Sequence, residues 1–128
     1  MSATPTPTPA PTAGQFVWNE FNTHDRSAAA RFYQQLFGWT LGHYALGGQE
    51  SSLFRIGERD VAGLVDNPDP QGKPFWLSYV RVDNLEVTCA RVAELGAQVV
   101  LPITVVPNVG RIAVLQDPQG AYLGLFQA

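Results

Sequence analysis

Two rhythms of apolar residues organise the chain. GQFVWNEF (14–21) and PFWLSYVRV (74–82) are short apolar runs that read as strands. After each, apolar residues recur with the period of a helix. Ala29, Phe32, Tyr33, Leu36 and Phe37 form the first stripe, and Leu85, Cys89, Val92 and Leu95 the second. Asp25 and Asp83 stand where a first turn needs a side-chain acceptor, and Glu86 gives Asp83 the spacing of a capping box. Gly38 and Gly96 suit the left-handed position just beyond each helix. Three short strand signals follow each helix: WTLGHYAL, SSLFRIG and DVAGLVD, then AQVVLP, GRIAVLQ and AYLGLFQ. Gly47-Gly48 and the turn at 57–60 separate those of the first half.

The order βαβββ is therefore expected twice. Trp18, Asp25 and Gly38 repeat as Trp76, Asp83 and Gly96 with the same spacings. The predicted fold is α+β: modules at about 14–66 and 75–128 pair edge to edge in an open, curved, eight-stranded sheet with the helices outside. Its concave face would be the binding cavity. The Pro-rich stretch NPDPQGKP (67–74) reads as a surface linker. Residues 1–13, rich in alternating Pro and Thr, read as a disordered tail because they cannot bury apolar area.

Composition narrows the function. With 128 residues, 45% of them hydrophobic, the chain can bury one core. A net charge of −3 without a run of Lys or Arg offers nothing to a nucleic acid or an acidic membrane. No apolar run reaches the roughly 18 to 20 residues of a membrane span. The lone Cys89 has no internal disulfide partner, and the first residues lack the basic and apolar regions of a signal peptide, so a cytoplasmic location is expected. A small organic molecule, neutral or anionic, remains open as the partner.

The chemistry available on the strands is sparse. Glu20 shares a strand face with Trp18 and is the carboxylate expected to point into the concavity, where it serves either as a ligand or catalytic group or as the partner of Arg81 or Arg111. Tyr79 and Tyr122 also fall on faces compatible with the cavity, and Arg111 stands where it would meet a carboxylate at the rim. His24 reads as a loop residue beside the cap, His43 as a strand residue of undecided face, and Cys89 as a small buried hydrophobe. No His, Cys and acid combine into a nucleophilic triad.

The segments HDRSAAARFYQQLFGW, VDNLEVTCARVAELGAQVV and GRIAVLQDPQGAYLGLFQ resemble the vicinal oxygen chelate superfamily, which includes glyoxalase I, extradiol dioxygenases and bleomycin resistance proteins. The resemblance covers about 110 residues. It implies four inward-facing ligands, mostly His and Glu, on the first and last strands of each module of metal-dependent members. Here those positions carry over to Trp18, Gly63, Leu77 and Gly124, whose side chains supply no donor to a hard or borderline ion. No metal and no cofactor are therefore expected, and the glycines at 63 and 124 are expected to enlarge the cavity floor. The resemblance also implies a homodimer. Two functions stay open: a metal-independent protein that binds a small molecule, or an enzyme using relocated ligands such as Glu20 and His43, or Glu20 alone as an acid-base group; a structural or interaction module attached through the Pro-Thr tail is a third.

Overall fold

The computed structural model describes residues 11–46 and 49–128. Residues 1–10 of the expected tail, and the expected turn at Gly47-Gly48, lie outside the described residues. Thr12 is already tied to the domain edge, because its carbonyl accepts from Gln15 N at 3.0 Å while Gly14 N donates to Arg81 O at 2.8 Å.

The first half contains β1 (Phe16–Thr23), α1 (Arg26–Phe37), β2 (Thr40–Leu46), β3 (Gln49–Ile56) and β4 (Arg59–Asp66). The second contains β5 (Phe75–Arg81), α2 (Leu85–Glu94), β6 (Gln98–Val106), β7 (Gly110–Gln116) and β8 (Tyr122–Gln127). All strands join one eight-stranded sheet in the order β2-β3-β4-β1-β5-β8-β7-β6. Antiparallel pairing of β1 with β5 joins the halves, and within each half the first and last strands run parallel.

Helix α1 starts where expected, with the Asp25 side chain accepting from Ala28 N at 3.0 Å, and ends at left-handed Gly38, φ 73°. In α2 the cap is one residue later than expected. Asn84 accepts from Val87 N at 3.0 Å, while Asp83 pairs with Arg81 at 3.1 Å. The capping box of Asp83 with Glu86 is therefore absent, and Leu95 closes the helix ahead of left-handed Gly96, φ 84°. This one-residue shift also corrects the repeat. Asp25 corresponds to Asn84, so Trp18 corresponds to Leu77 rather than to Trp76, which faces α1 and donates to Tyr33 OH at 3.2 Å. Strand β6 runs beyond its expected end at Pro102, and its pairing is irregular on both sides of Leu101. A proline is tolerated there because β6 is the sheet edge.

The helices cover one face of the sheet. Under α1, Ala30, Phe54, Ala62 and Leu64 are buried with Tyr33 and Trp39 against them; under α2, Leu85, Ala113 and Leu125 are buried with Cys89 beside them. The first helical stripe is only half used, since Phe32, Leu36 and Phe37 are each 57% exposed. The opposite face has its own cluster of Leu77, Tyr79 and Val114, backed by Trp18 and Phe75, and no helix of the described residues covers it.

Candidate functional site

Register builds the site on this helix-free face. Along β1, Glu20 has Gly63 of β4 on one side and Leu77 of β5 on the other, while Trp18 faces Tyr79. Tyr79 in turn neighbours Gly124 of β8. Alternation of side chains therefore brings Trp18, Glu20, Gly63, Leu77, Tyr79 and Gly124 to one face, with Tyr122 two residues before Gly124 at its margin. Tyr122 is half-exposed and its ring lies 6.0 Å from that of Phe75.

At its centre the Tyr79 hydroxyl donates to Glu20 Oε1 at 2.6 Å. Burial raises the Glu20 carboxyl above its ordinary value, and the bond from Tyr79 offsets part of that rise. The Tyr79 phenol is raised by its own burial and then by the Glu20 charge and hydrogen bond. Neither expected arginine reaches Glu20. Arg81 is held by Asp83, and Arg111 faces the start of α2, where it binds both oxygens of Glu86 and Gln127 Oε1. The rim role expected for Arg111 is overturned by strand parity: it pairs with Gln127 and so points to the helix side. There it anchors α2, since Gln127 Oε1 also accepts from Leu85 N at 2.8 Å.

The two glycines differ in use. At Gly124 a Cβ would lie 2.7 Å from Tyr79 Cγ and nearer still to Cδ1 and Cε1, so the ring fills the space that the missing side chain releases. The expected enlargement of the floor is absent at this position. At Gly63 a Cβ would stand 3.0 Å from Glu20 Cβ, 3.4 Å from Trp18 Nε1 and 3.6 Å from Glu20 Oε2. The last two atoms have no hydrogen-bond partner among the described residues.

Tyr44 is the residue that sequence reasoning missed. The Glu20 charge helps to raise its phenol, after burial, and Ser51 bonds to it. Strand pairing reveals it: Tyr44 follows Gly42 by two positions, and Gly42 pairs with Leu53, the neighbour of Gly63, a register that the sequence alone leaves open. His43, one position away, takes the other face. It lines a depression of about 240 Å³ with Arg26, Ser52 and Leu64 beside α1, so Glu20 and His43 are not brought together as shared ligands. A wider hollow of about 470 Å³ at 96–98 and 116–120 is also remote from Glu20, and its Asp117 is spent on the turn, accepting from Gln119 N and Ala121 N.

Among the described residues no three His, Cys, Asp or Glu side chains gather where they could hold a metal ion. Trp18, Gly63, Leu77 and Gly124 offer no donor, and Glu20, the carboxylate beside them among the described residues, already accepts from Tyr79. This set does not fit a divalent cation.

Residues 14–125 match the family model of the Glyoxalase/Bleomycin resistance protein/Dioxygenase superfamily. The chain belongs to that superfamily. It is 34% identical over 115 residues to a Mycobacterium bovis protein carrying the provisional name glyoxylase CFP32, covering 89% of this chain and 44% of that one. It is 28% identical to the anthracycline biosynthesis protein DnrV of Streptomyces peucetius, covering 89% and 47%. It thus spans less than half the length of these relatives. Among solved structures, methylmalonyl-CoA epimerase from Mycobacterium tuberculosis shares the fold with a TM-score of 0.60 and 16% identity, covering 94% of this chain and 91% of that one. The Mn(II)-bound glyoxalase from Novosphingobium aromaticivorans gives a TM-score of 0.60 at 16% identity, covering 90% and 39%.

Proposed function

We propose that this superfamily member binds a small organic molecule on the helix-free face of its sheet, without a metal ion. One observation carries the reading. Tyr79 lies across Gly124 and donates to Glu20, so a ring and a hydrogen bond stand where metal-dependent relatives are expected to place ligands, while Trp18 Nε1 and Glu20 Oε2 stay unpartnered beside Gly63. The surface supplies one donor, one acceptor and several flat apolar faces, which suits a planar or amphipathic ligand. Trp18, Glu20, Gly63, Leu77, Tyr79 and Tyr122 are the proposed contacts; Gly124 acts through Tyr79. A screen of small aromatics and antibiotics by thermal shift on chelator-treated protein tests this, because a ligand that binds only the native state raises its melting temperature.

A second reading makes Glu20 an acid-base catalyst. Its raised pKa favours that role, since a buried carboxyl can hold a proton nearer to neutral pH. Turnover of a bound compound, lost in Glu20→Gln while binding persists, would decide for it. We further place the protein in the cytoplasm, on its lone half-buried cysteine, and expect a homodimer through exposed Phe32, Leu36 and Phe37.

A further inference from the structure

We propose that the helix-free site selects organic cations, specifically a protonated amine carried beside a flat ring. The inference rests on the binding reading above and names its ligand class. Glu20 Oε1 is occupied by the Tyr79 hydroxyl at 2.6 Å, which leaves Oε2 as the acceptor that faces the space over Gly63. Tyr79 contributes a hydrogen bond but no positive charge. Among the described residues no Lys, Arg or His forms an ion pair with Glu20: Arg81 is held by Asp83 at 3.1 Å, Arg55 by Asp60 at 3.0 Å and Arg26 by Asp66 at 3.2 Å. A carboxylate withdrawn from water and lacking a counter-charge is costly, and an incoming ammonium removes that cost while an incoming anion increases it.

The surroundings complete the selection. Trp18 brings its indole to the same space, with Nε1 3.4 Å from the point a Gly63 Cβ would occupy. Tyr44 lies close enough to feel the Glu20 charge. Aromatic faces attract a cation held over them, and they stack on a flat ring attached to it. Gly63 matters because its missing side chain leaves the approach to Oε2 and Nε1 open.

A matched series tests this, because tryptamine, tryptophol and indole-3-propionate share one ring and spacer and differ in a terminal ammonium, hydroxyl or carboxylate. Calorimetric titration near neutral pH should show tryptamine binding at least about tenfold more tightly than tryptophol, with the carboxylate weakest. Glu20→Gln, which keeps an oxygen for Tyr79, should erase the preference. Tyr79→Phe, which leaves the charge and frees Oε1, should preserve it and guards against a Glu20→Gln variant that does not fold. Equal or stronger binding of tryptophol or the carboxylate would overturn the cation claim and leave the binding site standing. So would a preference that survives Glu20→Gln or disappears in Tyr79→Phe. Absence of binding by all three compounds would overturn the site, and this inference with it.

Discussion

Glu20 and Tyr79 stand 59 residues apart and meet in a 2.6 Å hydrogen bond across the junction of β1 and β5. They hold equivalent places in the two halves. The same offset relates the caps Asp25 and Asn84, and it relates Asn19 to Ser78, which face each other in register and share a 2.6 Å hydrogen bond. The local axis between the halves thus passes beside Asn19 and Ser78. Each equivalent residue also has a glycine beside it on the parallel strand, Gly63 for Glu20 and Gly124 for Tyr79. One repeated backbone plan carries a carboxylate on one side and a phenol on the other, and their union lies at the centre of the proposed site.

Gly124 is predicted to be a packing residue. Gly124→Ala should cost about 1 to 3 kcal/mol, because its methyl would displace the Tyr79 ring. In a Tyr79→Ala background the same change should cost far less, since the obstructing ring is gone. Urea denaturation of the four proteins in this cycle measures the coupling. Equal costs in both backgrounds would show that the ring does not determine the glycine.

The raised carboxyl of Glu20 predicts a pH dependence. The folded chain holds this proton more tightly than the unfolded chain, so stability linked to Glu20 is fully present below its ordinary value of 4.5 and is lost as pH rises through the raised folded value. Glu20→Gln should abolish that loss. As pH rises above 4.5 the wild type should therefore lose stability relative to the variant, measured by urea denaturation at a series of pH values. Parallel profiles would mean that burial does not perturb the group.

Metal content should be well below one equivalent per chain. Elemental analysis of purified protein checks this, and a chelator should leave the melting temperature unchanged, because a resident ion's binding energy would otherwise stabilise the fold. A stoichiometric ion removed with a large fall in stability would reverse the reading of the donor set.

Light scattering should give a mass near twice 13.9 kDa. Phe37→Glu should return it to the monomer, since a charge on an apolar face opposes its burial. A dimer unaffected by this change would place the interface elsewhere.

Much of the candidate site's shared face was legible in the sequence because strand parity is a strict rule. Alternation alone put Trp18 and Glu20 on one face, and the resemblance added Gly63, Leu77 and Gly124. The same rule would have turned Arg111 toward α2, had its pairing with Gln127 been known, but pairing depends on turns that the sequence leaves open. The α2 cap moved by one residue because Asp83 and Asn84 both suit that role, and the choice follows from Asp83 pairing with Arg81. The meaning of Gly124 was out of reach for a different reason. A glycine reads alike whether it leaves space or receives a neighbour, and only the course of the Tyr79 ring distinguishes these.

The most direct test of metal-free binding at this face is a thermal shift on chelator-treated wild type and Trp18→Ala with indole amines. At about 100 times its dissociation constant, a ligand should stabilise the wild type by roughly 2.7 kcal/mol, which is several degrees for a chain of this size. Trp18→Ala should lose that shift because Trp18 supplies both the ring and the free N–H beside Gly63. A shift that appears only after a divalent ion is restored, or that persists undiminished in Trp18→Ala, would contradict the account.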